Sequence, residues 1–285
     1  MVQIATKSNI YYSPLRYPGG KACLSEFLTL IIDENGLEDC TYIEPYAGGA
    51  GAALALLMLE KVENIVINDF DRAIYAFWKS ITENSERFVR KLEKVELSIE
   101  EWYKQKKIYR SNTKDDFKLG FATFYLNRTN RSGIIEGGPI GGVNQTGNWG
   151  IEARFNRTNL VERISKIALY KNRITVTNKD GISLIKEVKN RKNVLAYLDP
   201  PYYVKGSSLY LNYYKHQDHQ ELAKILNKNS NMKWILTYDN VPEIAELYEE
   251  RSCFEFSLNY HADTAKIGKE LLILSDSLNL PNNYL

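Results

Sequence analysis

Residues 194–203 read Val-Leu-Ala-Tyr-Leu-Asp-Pro-Pro-Tyr-Tyr. Val194 to Leu198 has the length and uncharged, bulky composition of a buried parallel strand. Asp199 ends it, because the two prolines that follow have no N–H to give a sheet ladder. Proline also restricts the residue before it, so Asp199 and Pro200 are both pushed towards extended backbone. The result is a stiff hook at the carboxyl end of a strand, where open α/β sheets bind their ligands. Its carboxylate and proline carbonyl suit the two hydrogens of an amino group, and a tyrosine face suits the flat heterocycle that carries it. Taken alone, Asp-Pro-Pro is equally consistent with a rigid turn, so the flanking sequence decides.

Upstream, the strand candidate Thr41-Tyr42-Ile43 runs into Glu44-Pro45-Tyr46-Ala47-Gly48-Gly49-Ala50-Gly51 and then an alanine- and leucine-rich helix from Ala52 to Glu60. Strand, glycine loop and helix in that order gather backbone N–H groups around a ligand at a helix N-terminus. Gly49-Ala50-Gly51 fits the start of a dinucleotide fingerprint, but Leu54 takes the third glycine position and argues against nicotinamide or flavin. The next strand, Asn64 to Ile67, ends in Asn68-Asp69-Phe70-Asp71. Asp69 is placed for ribose hydroxyls. Asp71 is placed to cap the helix carrying Ile74, Phe77, Trp78 and Ile81. Nearer the N-terminus, Tyr17-Pro18-Gly19-Gly20-Lys21 is a turn leading into an apolar-periodic helix through Leu24, Phe27, Leu28 and Ile31. A P-loop is excluded, since its first glycine is missing and Ala22 stands where a magnesium-binding hydroxyl belongs. On this stretch alone, Lys21 is equally an exposed turn residue or part of a ligand site.

Downstream the alternation continues. Asn159 is expected to cap a helix through Leu160, Ile164, Ile167 and Ala168, and Ile174 to Thr177 returns to strand. After the hook come a helix from about His216 to Leu226, strand Lys233 to Thr237, helix Pro242 to Glu249 and strand Phe254 to Leu258. A polar connection from His261 to Lys269 leads to a last strand, Glu270 to Leu274. Strands alternating with helices predict a doubly wound α/β sheet. His216 and His219, with Asp218 between them, read as a solvated first helical turn rather than a metal site.

The chain has 285 residues, 44% of them hydrophobic and 25% charged, with a net charge of +2, values that suit an ordinary soluble globular protein. The longest uncharged apolar-looking run, Ala47 to Leu59, is too short for a bilayer and holds three glycines. Met1 to Lys7 has no apolar signal core, and Cys23, Cys40 and Cys253 are odd in number and far apart, so a reducing cytoplasm is expected without disulfide or zinc. The charge is unevenly placed. Between Lys104 and Arg163 there are eleven Lys/Arg against five Asp/Glu, leaving the rest of the chain slightly acidic. Residues 83–126 read as helical, charged and aromatic, and after them come Asn127-Arg-Thr-Asn-Arg-Ser-Gly133, a glycine-rich run to Gly150, and Arg154-Phe-Asn-Arg157. A basic, Asn/Gln-rich, glycine-hinged insertion is the footprint expected for a polyanion. Arg128, Arg131, Arg154 and Arg157 suit phosphates or guanine edges, and Asn127, Asn130, Asn144 and Gln145 suit adenine.

With these stretches in chain order, the sequence resembles the Dam-like DNA adenine-N6 methyltransferases (D12 class, α-type motif order). The resemblance rests on Tyr17 to Lys21, Glu44-Pro-Tyr-Ala-Gly-Gly, Asp69 and Asp199-Pro-Pro-Tyr202, and spans essentially the whole chain. It implies a Rossmann-like core of residues 1–81 and 160–285 that binds S-adenosyl-L-methionine (AdoMet), interrupted by a mostly helical and loop DNA-recognition domain over 82–159. It implies Tyr17, Lys21, Glu44, Pro45, Gly48, Asp69 and Asp199 as cofactor contacts. The family's usual second loop glycine falls at Ala50, flanked by Gly49 and Gly51, which leaves the individual loop contacts open. Catalysis is expected at Asp199, Pro200 and Tyr202, with the adenine flipped out of double-stranded DNA and no metal or membrane involved. A cognate restriction endonuclease is the companion such an enzyme would have in a restriction-modification system. N4-cytosine and RNA adenine methylation use the same kind of hook and stay open at this stage, as does a non-catalytic DNA-binding module.

Overall fold

The computed structural model describes residues 12–17, 20–204, 214–228, 232–261 and 265–281. Strands β1 (Thr41–Glu44), β2 (Asn64–Asn68), β3 (Ile174–Thr177), β4 (Val194–Leu198), β5 (Lys233–Asp239), β6 (Ser252–His261) and β7 (Ala265–Leu274) form one sheet. Their order is β3-β2-β1-β4-β5-β7-β6. β1 pairs in parallel with both β2 and β4, β4 pairs in parallel with β5, and β7 runs antiparallel to β5 and β6. The strand order reverses between β1 and β4, so the loops leaving their carboxyl ends open on the crevice where such sheets take ligands. This is a Rossmann-like α/β fold. β4 is buried at all five positions, as its unbroken apolar run requires.

The chain divides into two compact units. The first holds Lys21–Asp71 and Thr177–Leu285. In it, a 3-10 turn (Lys21–Leu24) leads into α1 (Ser25–Glu34), and α2 (Gly51–Met58) packs on that turn, on α1, and on β1 and β2. α8 (Gly181–Val188), α9 (His216–Lys228) and α10 (Pro242–Leu247) share an apolar core with Ile43, Ala196, Leu198, Trp234 and Leu236 of the sheet. Removing this apolar area from water is the main stabilising contribution, about 25 cal/mol per Å².

The second unit holds Tyr12–Gly20 and Arg72–Val176, so the division cuts through β3. It contains α3 (Arg72–Glu83), α4 (Ser85–Lys94), α5 (Ile99–Arg110), α6 (Asp116–Thr129) and α7 (Arg157–Leu169). These bounds differ from 82–159. Helix α3 belongs with the helical unit because it lies flush on α6: a Cβ added at Gly120 would stand 2.3 Å from the Ala76 carbonyl oxygen. Phe77, Phe88, Phe121 and Phe124 close the same core with ring centroids 5.2–6.2 Å apart.

Two local expectations need correction. The cap of α7 is Asn156, whose side chain accepts the Asn159 N–H, so the helix begins two residues earlier than Asn159. The connection between the last strands is shorter than His261 to Lys269, since β6 and β7 pair from Ser252↔Leu274 to His261↔Ala265. The alternation Phe254-Glu-Phe-Ser-Leu-Asn-Tyr carries strand period past the point where polarity alone suggested a loop.

Candidate active site

The hook departs from β4 as its sequence requires. Lys21 lies across it, buried rather than exposed on its turn. Its Nζ donates to both oxygens of Asp199 at 3.0 and 2.9 Å and to the Tyr202 hydroxyl at 2.8 Å. The Lys21 side chain is 6% exposed and that of Asp199 19%, so the ion pair is largely shielded while the carboxylate keeps some exposure. Thr237, from β5, donates its hydroxyl to Asp199 Oδ1 at 3.0 Å and is itself bonded to the Tyr197 hydroxyl at 2.9 Å. Pro200 is buried. Beyond the prolines, the Asp239 carboxylate accepts the Tyr203 and Val204 N–H groups at 2.9 Å each and so pins the hook's exit. The Tyr202 hydroxyl donates to Glu270 of β7. Burial and the charges of Asp199 and Glu270 push that phenol well above its ordinary pKa, so it stays a neutral donor.

The glycine loop after β1 is tied to the end of β2. Ala47 N–H bonds the Asn68 carbonyl at 2.9 Å, the Asn68 side chain donates to the Pro45 carbonyl at 2.8 Å, and Gly48 N–H bonds Asp69 Oδ2 at 2.9 Å. Asp69 Oδ1 takes the Asp71 N–H at 2.9 Å. Burial first, then the neighbouring Asp71 charge, push the Asp69 carboxyl up to about 7. Glu44 turns back beneath the loop, accepting the Ala53 N–H of α2 at 2.9 Å, and burial raises its pKa to about 8. Gly48 and Ala50 both have positive φ, 46° and 45°, so Ala50 takes the left-handed backbone that glycine favours. Gly51 is required for another reason. A Cβ there would stand 2.8 Å from the Ala22 Cβ, so only glycine lets the Lys21 turn sit against the loop.

Tyr17 falls in the second unit, where its carbonyl accepts the Gly20 N–H at 3.1 Å. The DNA candidates of that unit separate into three groups. Asn127 is buried and bridges Arg16 N–H, Arg16 O and Gly133 O. Asn130 is buried and links Trp102 Nε1 to the Ile134 and Ile135 carbonyls. Gln145 closes its own loop on Ile140, Gly142 and Ile151, and Arg157 donates to the Leu92, Glu93 and Val95 carbonyls that end α4. These four side chains are engaged in holding the loops. Arg131, Asn144 and Arg154 are exposed. Arg128 is distinct. Its Nε is buried without a hydrogen-bond partner among the described residues. Desolvation first, then the positive charges of Arg16, Arg163 and Arg154, bring its pKa down to about 9.

Sequence reasoning missed Thr237, Asp239 and Glu270, which sit at strand positions indistinguishable from core by pattern, and the arginines 16 and 163. It also missed the exposed apolar side chains Ile134, Val143 and Trp149, the last 72% exposed. The expectation of a solvated His216 to His219 turn holds for exposed His216, whereas His219 is 1% exposed and bonds the Tyr238 hydroxyl at 2.7 Å. No group of three or more His, Cys, Asp or Glu among the described residues is arranged to hold a metal, and no helix among them is long and apolar enough to cross a membrane.

Residues 17–265 match the family described as D12 class N6 adenine-specific DNA methyltransferase. The chain belongs to this family. The D12 enzyme therefore catalyses AdoMet-dependent methylation of adenine N6 in DNA. Among solved structures it is similar to the rRNA methyltransferase AviRa from Streptomyces viridochromogenes, at 13% identity over 96% of this chain and 90% of that one, with a TM-score of 0.42. No match was found among curated proteins.

Proposed function

We propose that the D12 enzyme methylates adenine in double-stranded DNA at a specific sequence, with Asp199 and the Pro200 carbonyl holding the amino group of a flipped base. The observation that carries this is the Asp199 carboxylate, fixed at the carboxyl end of the central strand by Lys21 and Thr237 and still partly exposed. Adenine N6 is a poor nucleophile because its lone pair is delocalised into the ring. Accepting both N6 hydrogens at Asp199 and Pro200 favours the tetrahedral nitrogen and localises that lone pair. Asp199 is also placed to take the proton that N6 must lose after transfer. Tyr202, anchored by its hydroxyl, holds the ring in position. Flipping the base costs a few kcal/mol of stacking and pairing, and positioning supplies most of the remaining rate.

The residues present fit AdoMet. Asp69 is a half-buried carboxyl at the end of β2 whose raised pKa marks a shortage of donors, and ribose hydroxyls would supply them. The Gly48 to Gly51 loop and Lys21 border the same crevice, while Glu44 and Pro45 act by holding that loop in shape. When bound, AdoMet supplies an electrophilic methyl group. In the second unit, Arg16, Arg128, Arg154 and Arg163 form a group of like charges suited to backbone phosphate, and Trp149 on the same basic insertion suits insertion between bases. The protein would act in the cytoplasm, and a restriction endonuclease of the same sequence specificity would be its companion.

The test is transfer of labelled methyl from AdoMet to a long mixed-sequence duplex, followed by modified-base analysis. Label in N6-methyladenine at one sequence context is expected. Asp199→Ala is expected to abolish it while DNA binding persists. Near-normal turnover by that variant, or label in N4-methylcytosine, would refute the assignment.

A further inference from the structure

Glu270 opens the buried part of β7, paired with Asp239 of β5, at a position 1% exposed where the following residues are Leu, Leu, Ile and Leu. One carboxyl oxygen accepts the Tyr202 hydroxyl. The other, Oε2, has no hydrogen-bond partner among the described residues, yet lies 3.9 Å from Lys21 Nζ. A single lysine charge thus faces two carboxyl groups, Asp199 within hydrogen-bond range and Glu270 just beyond it. A buried carboxyl costs several kcal/mol unless paired. An amide would make the same bond to Tyr202 without that cost.

We propose that Glu270 is a positioning residue for methyl transfer, acting through Lys21 and Tyr202 to set how strongly Asp199 accepts the adenine amino group. The inference rests on the reading of Asp199 as that acceptor. With Glu270 protonated, Lys21 and Asp199 form a closed neutral pair. With Glu270 ionised, Lys21 is shared between two anions, Asp199 is less neutralised, and it becomes the stronger acceptor for N6–H. Glu270 also keeps the Tyr202 hydroxyl pointing inward, where its oxygen accepts from Lys21.

The charge state is poised. Burial, with the Asp199 and Asp239 charges, raises the Glu270 carboxyl to about 7, against the opposing pull of Lys21 and the Tyr202 bond. The titratable groups that interact with this site are Lys21 and Cys23 from the first turn, Tyr197, Asp199 and Tyr202 from β4 and the hook, and Asp239 from β5. The phenols are raised away from neutrality, so they stay uncharged as Glu270 titrates.

The experiment is single-turnover methyl transfer by the full-length protein, saturated with AdoMet and duplex DNA, as a function of pH. The wild-type rate is expected to rise about tenfold between roughly pH 6 and pH 8.5, with a midpoint near 7. Glu270→Gln is expected to lose that limb, matching wild type at the acid end and falling about tenfold below it at the alkaline end. AdoMet affinity should change by less than about twofold. A flat wild-type profile, which needs no variant to fold, overturns the proposal. So does a folded Glu270→Gln that keeps the wild-type limb. Asp199→Asn separates the two claims: if it is inactive while Glu270→Gln behaves as wild type, only the role of Glu270 falls. If Asp199→Asn stays active, both fall.

Discussion

Gly51→Ala tests whether the glycine loop positions Lys21 against Asp199. Alanine at a helix start is better than glycine by up to about 1 kcal/mol on propensity alone, and Gly51 is not at positive φ, so backbone preference predicts a more stable protein. Geometry predicts the opposite at the site. Carbon atoms pack at about 3.5–4.0 Å, and the new Cβ would meet the Ala22 Cβ at 2.8 Å, so the turn must retreat by on the order of 1 Å. Lys21 is the preceding residue, with donor distances of 2.8–3.0 Å. A retreat of that size puts those bonds near or past the limit of about 3.5 Å. Overpacking costs about 1–3 kcal/mol, and an ångström of misplacement costs about 10²-fold in rate. The assay is single-turnover methyl transfer beside a thermal melt. The expected result is a rate loss of one to two orders of magnitude with a modest change in Tm. Combining it with Ala22→Gly removes the offending Cβ, leaving the Ala22 backbone at 3.3 Å, and should restore most of the rate. Gly51→Ala with a wild-type rate and a raised Tm would refute the reasoning.

Arg128→Met should stabilise the free protein by about 1 kcal/mol, since it removes a desolvated charge among like charges; it should weaken DNA binding and lower the salt slope by about one, measured by chemical denaturation and salt-dependent binding. Thr237→Val takes a hydrogen bond from Asp199 and strands the buried Tyr197 hydroxyl, and should slow methylation about tenfold with a stability loss of about 1–3 kcal/mol. Burial holds the Glu44 carboxyl at about 8 in the folded protein against an ordinary 4.5 in the unfolded chain, so its contribution to stability is complete below about 4.5 and is lost as pH rises through 8. Glu44→Gln should therefore flatten the decline in denaturation midpoint of the ligand-free protein between about pH 5 and pH 9.

The alternation of strands and helices, the hook at Asp199, the loop after β1 and Asp69 were legible from sequence because each depends on neighbours in the chain. Two prolines stop a strand wherever it lies, and a glycine-rich turn between strand and helix exposes N–H groups in any such unit. From its own stretch Lys21 was legible only as a residue beside a turn, and only the family resemblance made it a site candidate. Its burial against Asp199 required α2 and the turn to pack through Gly51, a contact across some thirty positions of chain. Asn127, Asn130 and Arg157 carry the polar residue types of a nucleic-acid reader, yet the tertiary structure engages them in bonding backbone carbonyls that the loops leave unsatisfied. Arg16 and Arg163 join Arg128 from segments more than a hundred residues apart in one case. Sequence by itself determined the alternating strands and helices and the Asp-Pro-Pro hook through local stereochemistry, whereas the reaction class rested on the resemblance of four stretches taken together. Which charges meet, which polar groups are engaged in holding the loops, and that Thr237, Asp239 and Glu270 stand behind the hook were decided by strand pairing, because β5 and β7 reach β4 only once the sheet has closed in its reversed order.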